Sequence, residues 1–241
     1  YSLDLDELAE EYDRAKAASE RSLQGFATLR LNRIPKTSLD LAWLSADAVA
    51  RTRVEVDFGD FNQCLYTCGG LDLGGAWDFA TFCITGQMPD GSVITRQQSY
   101  LCNSGYQRDR NKVPLDDFIE RGELHIQGDD AVPTEDLVGE LLDWCNSAGV
   151  SELAIDPAMS TIVAPALEAG GLEVIYARQG TMSMSAPMHL TETLINDGKL
   201  HIGDDALFQW CLGNTGVVSN STGRKPCKIG NDSSSNPNKV D

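Results

Sequence analysis

Two aspartates in this sequence occupy positions where a carboxylate is hard to place without a partner. Asp72 lies inside a strand-like run, Gly70-Leu71-Asp72-Leu73-Gly74-Gly75, and Asp156 ends a second apolar run, Leu153-Ala154-Ile155-Asp156-Pro157. A carboxylate buried in a sheet is unfavourable unless it meets a cation or a hydrogen-bond donor. Two of them on neighbouring strands repel unless a proton or a divalent ion lies between them. Hard oxygen donors on a rigid sheet suit Mg2+ or Mn2+. A pair of such ions about 3.5–4 Å apart can clamp the attacking and leaving oxygens of a phosphodiester. A plainer reading stands beside this one. Acids at strand ends commonly cap the next helix, and Asp156 before Pro157 could do only that. Asp78, shortly after Asp72, either caps a turn or reaches the same site.

Other candidate chemistry is thinner. His201, within Lys199-Leu200-His201-Ile202-Gly203, is either a surface or capping residue or a phosphate contact beside the acids. The pairs Asp116-Asp117, Asp129-Asp130 and Asp204-Asp205 read as solvated loop or helix-start acids. Asp72-Leu73-Gly74-Gly75 resembles the first phosphate loop of actin-like sugar kinases and ATPases, but the second copy that such a fold needs does not appear. GxxxxGK[ST], HExxH and GxSxG are all absent. Seven cysteines at irregular spacing, with no CxxC pair and three histidines, suit reduced thiols better than a disulfide framework or a zinc site.

The elements that must position the two aspartates follow from pattern. Apolar residues at helical spacing predict a helix over 3–23; Pro35 marks a break, and Leu39–Arg51 reads as a short helix after it. Leu65–Leu73, Phe79–Met88 and Ser92–Cys102 read as three strands, the last two joined by the turn Pro89-Asp90-Gly91. A helix opens at Pro133-Thr134-Glu135 and runs to Ser147 before Gly149. Strand 153–155, helix 158–169, strand 172–177, and helices 185–197 and 205–213 follow. From Ser219 onward the chain is rich in Ser, Asn, Lys and Gly and predicts a loop. The expected fold is α/β, a ribonuclease-H-like mixed sheet with three antiparallel strands followed by parallel crossover strands, flanked by helices. Residues 1–60 read as a helical lead-in and 61–241 as one domain.

Composition limits the alternatives. The 241 residues are 41% hydrophobic and 23% charged, which suits a globular domain and not a disordered chain. No apolar run reaches the roughly 18–20 residues of a membrane span, and there is no signal-peptide pattern. Tyr1 in place of Met reads as the start of a fragment. Asp and Glu number 36 against 19 Lys and Arg, a net charge of −17 that lies almost wholly between residues 58 and 223. Such a surface repels nucleic acid and anionic membranes at long range.

Four stretches, in order, resemble the nuclease portion of the large terminase subunit of tailed bacteriophages. Leu5-Asp6-Glu7-Leu8 to Arg14-Ala15-Lys16, with Phe26 and Leu29-Arg30-Leu31-Asn32, is similar to that family's linker between motor and nuclease. Gly70-Leu71-Asp72-Leu73 with Asp78 and Ala80 resembles its first nuclease strand, and Ala154-Ile155-Asp156-Pro157 its second acidic position. Arg178-Gln179-Gly180, Met184-Ser185, Leu194, Gly198-Lys199-Leu200-His201, Trp210 and Asn214 follow the family's order and spacing. Lys239-Val240-Asp241 resembles the Lys-Ile-Asp before its last helix, a helix this sequence lacks.

The resemblance implies a metal-dependent endonuclease that cuts concatemeric double-stranded viral DNA during genome packaging. Asp72, Asp156 and Asp241 would hold two Mg2+ or Mn2+ ions, with Asp78 and His201 as auxiliaries. It implies an ATPase domain not contained here, a small terminase subunit and a portal ring as partners, no membrane, and the cytoplasm of a bacterial host. The fragment alone is compatible with a monomer. Arg108, Arg110 and Lys112, and the basic tail Arg224, Lys225 and Lys228, are either solvated loop charge or contacts to DNA phosphates. Two rival expectations remain open: a non-catalytic docking module of the packaging motor, favoured by the acidic surface, and another ribonuclease-H-like nuclease of the resolvase or transposase type.

Overall fold

A computed structural model describes residues 5–18, 26, 42–75, 77–158 and 160–229. Its centre is a mixed sheet. Strands β1 (Tyr66–Asp72), β2 (Ala80–Gln87) and β3 (Val93–Leu101) form an antiparallel meander. Asp90 closes the second connection by accepting at Oδ1 from the backbone N–H and hydroxyl of Ser92, an Asx turn that leaves Gly91 at φ 81°. The chain then supplies β4 (Leu124–Ile126), β5 (Glu152–Ile155), β6 (Glu173–Tyr176) and β7 (Leu200–His201). The spatial order is β4-β3-β2-β1-β5-β6, with β7 beside the first half of β3. β5 lies parallel to β1, and β6 parallel to β5. This is the expected ribonuclease-H-like arrangement.

Side-chain alternation explains the layers. Leu71, Phe82, Ile84, Ile94, Tyr100, Leu153 and Ile155 are buried against α5 (Thr134–Ala148) and α6 (Ser160–Ala169), through Leu137, Val138, Leu141, Val163 and Leu167. Gly149, left-handed at φ 66°, ends α5 where expected. A second core gathers Phe79, Leu101 and Leu124 with α3 (Asn103–Asp109), α4 (Leu115–Glu120) and α8 (Ala206–Gly213). A third joins α2 (Ala46–Arg51) to α7 (Thr181–Asn196) and β7 through Leu44, Val49, Ile195 and Leu200. Helix α1 spans Leu5–Ala18, inside the expected 3–23.

Several readings change. The helix expected over Leu39–Arg51 is α2, Ala46–Arg51, capped by the Ser45 hydroxyl. Where a loop is expected from Ser219, the described residues hold an antiparallel hairpin of Thr215–Asn220 (β8) and Gly223–Lys228 (β9), and residues 230–241 lie outside the described ones. The hairpin packs on α7, where the Ser185 hydroxyl accepts from the Arg224 N–H at 2.7 Å and the Arg224 guanidinium grips the Glu192 carboxylate. Helix α7 begins at Thr181, four residues before the expected start, because Gly180 caps it and Pro187 is accommodated within it. Residues 103–126, to which the sequence pattern assigns nothing, hold α3, α4 and β4. Among the described residues no helix is long and apolar enough to cross a membrane.

Candidate active site

The parallel pairing of β1 with β5 sets the site. Its last rung joins Leu71 to Ile155, and each strand carries its aspartate one residue further on. Neighbouring strands run about 4.8 Å apart, so Asp72 and Asp156 stand side by side at one end of the sheet. Asp72 is in register with Thr81 and therefore faces away from the Leu71–Phe82 core layer. Both carboxylates are half-buried.

Neutral groups hold them. Asp72 Oδ1 accepts from the Gly74 N–H at 2.9 Å and Oδ2 from the Gln179 side-chain amide at 3.2 Å. Asp156 Oδ1 accepts from the Ala158 N–H at 2.7 Å. That bond closes the turn ahead of α6, whose first residue is Ser160. The turn beyond Asp72 is constrained: Gly74 has φ 60°, and a Cβ there would lie 2.2 Å from the Phe79 carbonyl oxygen. The glycine lets the chain close on itself while its N–H still points at Asp72.

A family model described as "Terminase large subunit, endonuclease domain" matches residues 1–235. The chain belongs to that family. This terminase domain is similar in structure to the large terminase of bacteriophage HK97, at 19% identity and TM-score 0.70, over 96% of this chain and 48% of that one. The chain thus spans about half the length of the HK97 protein, and the likeness at that identity is one of fold. The large terminase nuclease from thermophilic phage G20c is also similar, at 14% identity and TM-score 0.46, over 69% of this chain and 75% of that one. A structure of the same nuclease with bound magnesium gives 11% identity and TM-score 0.47, over 80% and 93%. No curated protein sequence matches.

The terminase domain distributes the other candidate residues unevenly. Asp78 lies in the loop after Asp72 and pairs with Lys228 of β9 at 2.7 Å, so it anchors that loop to the hairpin. Asp241 lies outside the described residues. Among the described residues no group of three or more His, Cys, Asp or Glu side chains is placed to hold a metal ion. His201 is not at this site. It pairs with Ile94 at the opposite end of the sheet, roughly 17 Å along the strands from Asp72, with Nε2 3.3 Å from the Gly198 carbonyl. Its place in the sequence, far from both aspartates, gives no sign of which sheet end it reaches.

The basic residues are mostly engaged with acids. The Arg108 guanidinium pairs with the buried Asp109, 1% exposed, through Nε at 2.9 Å, and Lys112 Nζ lies 4.0 Å from the same carboxylate. Arg110 is exposed at the end of α3, and Lys225 is half-buried on β9. Arg224 is taken up by Glu192 and Lys228 by Asp78. The basic tail is thus a strand whose charges at Arg224 and Lys228 serve the fold. Gln179 is the residue at this site to which the sequence assigned no role, although it lies in the Arg178-Gln179-Gly180 stretch.

A roomier polar cavity of about 860 Å³ lies elsewhere, in the gap left on the edge of β3 between β4 and β7. Arg96, Arg121, Glu123 and Asp205 line it. Burial pushes the Asp205 carboxyl up to about 6, chiefly through loss of hydration, although it accepts from the Phe208 N–H at 2.7 Å as the cap of α8.

Proposed function

We propose that this domain is the endonuclease that cuts concatemeric double-stranded DNA during viral genome packaging, using two divalent ions, Mg2+ or Mn2+. The observation that carries the reading is the pair of aspartates at the ends of adjacent parallel strands, held by neutral donors. Carboxylate oxygens fit such ions. Asp72 would bridge the two ions, Asp156 would hold one and Asp241 the other. When bound, the ions supply an activated water and positive charge against the phosphate oxygens.

The chain's own residues do the positioning. Gly74 and Gln179 fix both oxygens of Asp72, and rigid orientation of a ligand is what a catalytic ion site requires. The sheet keeps Asp72 and Asp156 in register. In this reading residues 61–241 are the nuclease unit and 1–60 lead into it. The stretch from residue 42 docks on that unit through Leu44, Val49 and Val56. The ATPase domain, the small terminase subunit and the portal ring belong to the same proposal, as does action in the bacterial cytoplasm. With a net charge of −17, the domain's own affinity for DNA is expected to be weak, so that delivery falls to those partners.

The test is nicking and linearisation of supercoiled plasmid in Mn2+, in Mg2+ and in EDTA, with wild type beside Asp156→Asn. Cleavage that needs metal and disappears in the variant supports the reading. Cleavage that persists in the variant or in EDTA overturns the site.

A further inference from the structure

We propose that Trp77 is a DNA-contacting residue, whose ring packs against a deoxyribose a few steps from the phosphate held at the Asp72–Asp156 end of the sheet. This rests on the reading of the domain as a DNA-cutting one.

The four tryptophans are treated very differently. Trp43 is half-buried and donates its indole N–H to Glu192 at 2.5 Å. Trp144 packs edge-on against Phe58 and Phe82, each 5.1 Å away between ring centres. Trp210 packs against Phe118 at 6.0 Å. Trp77 alone of the four is exposed, at 45%. A large aromatic surface left in water is unfavourable, and here it stands in the loop between Asp72 and Asp78.

That loop is pinned from three sides. Its neck closes where Gly74 meets Phe79. Lys228 holds Asp78 from the hairpin. From α3, the Arg108 guanidinium lies 5.1 Å from the centre of the Trp77 ring and donates to the Trp77 carbonyl at 3.3 Å. Arg108 is itself fixed by buried Asp109. The indole is therefore pre-placed, and little ordering is left for binding to impose.

Chain reach limits its distance from Asp72 to about 17 Å, less the turn at Gly74. Successive nucleotides of a strand rise about 3.4 Å, so a ring within that reach can meet a sugar a few steps from a phosphate held at the aspartates. In duplex DNA the base faces are stacked on one another, so the ring packs on the deoxyribose, which is the same at every nucleotide, and the contact carries no sequence preference. Arg108 then acts as a positioning residue for the indole and not as a phosphate contact.

The experiment is a fluorescence and anisotropy titration with a duplex of about 30 base pairs in Ca2+, repeated across a salt series. Wild type is compared with Trp77→Phe and Trp77→Ala, whose folding is checked by circular dichroism. DNA should quench wild-type tryptophan emission, and Trp77→Phe should lose most of that quench while keeping most of the affinity. Trp77→Ala should bind about tenfold more weakly with an unchanged slope of log K against log salt, because no charge is lost. Plasmid cleavage by Trp77→Ala should show a raised KM with kcat nearly kept. Wild-type affinity in Trp77→Ala, an altered salt slope, or no binding of DNA by wild type overturns the proposal. Trp77-dependent binding without cleavage leaves it standing and counts against the nuclease reading; cleavage with binding indifferent to Trp77 does the reverse.

Discussion

Two regions of the domain concentrate carboxylates, and they compensate them in opposite ways. At the N-terminus of α8, Glu123 accepts from the N–H groups of Ala206 and Leu207 and pairs with Arg121, while Asp205 caps Phe208. Those acids are consumed in holding a helix end against the sheet edge. At the ends of β1 and β5, Asp72 and Asp156 meet two backbone N–H groups and one amide. Among the described residues no cation pairs with either carboxylate. An acid whose oxygens are spent on a helix end builds the fold, whereas one aimed by a few neutral donors is available for an ion and a substrate. Net charge alone does not separate the two roles.

That contrast can be broken experimentally. The largest effect is expected from Asp72→Asn, which should lower metal-dependent cleavage by at least about a thousandfold. Its melting temperature in EDTA should match or exceed wild type, since one of two like charges is gone. A variant that unfolds would place Asp72 among the fold-building acids. Next comes Arg108→Ala, which removes the closer of the two cations beside the buried Asp109, leaving Lys112 at 4.0 Å, and should cost about 3 kcal/mol in denaturant unfolding.

Asp205→Asn should act in the opposite direction. Asparagine caps as well as aspartate, and the folded-state pKa of about 6 lies above the ordinary 3.8. The folded chain therefore binds the proton more readily than the unfolded one, and wild type loses stability as pH rises from about 4 to about 6. The variant should gain about 1–3 kcal/mol above pH 6 and nothing below about pH 4, read from denaturation curves at each pH. The smallest effect belongs to Asp78→Ala. Its largely buried pair with Lys228, the two side chains 28% and 11% exposed, should be worth about 1–1.5 kcal/mol as a charge-assisted hydrogen bond, with little change at high salt.

Much of the fold was legible because its signals are local. The meander shows in three apolar runs around Pro89-Asp90-Gly91, and α5 in its flanking Pro133 and Gly149. The β8–β9 hairpin was not legible, because what orders it is distant. Ser185 and Glu192 on α7 bind Arg224, while the strand itself contains Pro226 and reads as polar. Asn220 does accept from the Thr222 N–H at 2.8 Å, an Asx turn that Asn220-Ser221-Thr222-Gly223 could have announced. β7 is two residues long and carries no pattern of its own. At the site, the strand-end position of Asp156 was readable from its run and the adjacency of the two aspartates from the expected strand order, whereas Asp72 read as lying inside its strand and in fact ends it. Gln179 was not readable, because a hydrogen bond between residues so far apart in sequence leaves no spacing to read. The burial of Asp109 was equally hidden, since its neighbours Arg108 and Arg110 read as an exposed basic cluster.

The pairing of β1 with β5 also has a consequence in time. Asp72 and Asp156 are separated by more than a third of the chain, and α3 to α5 lie between them. Such long-range strand pairing forms late compared with local turns and helices. Until β5 docks on β1, the two aspartates stand apart. Synthesis is thus separated from assembly of the acidic pair by the sheet's last central strand, and an unfinished chain is kept from holding both acids in one place.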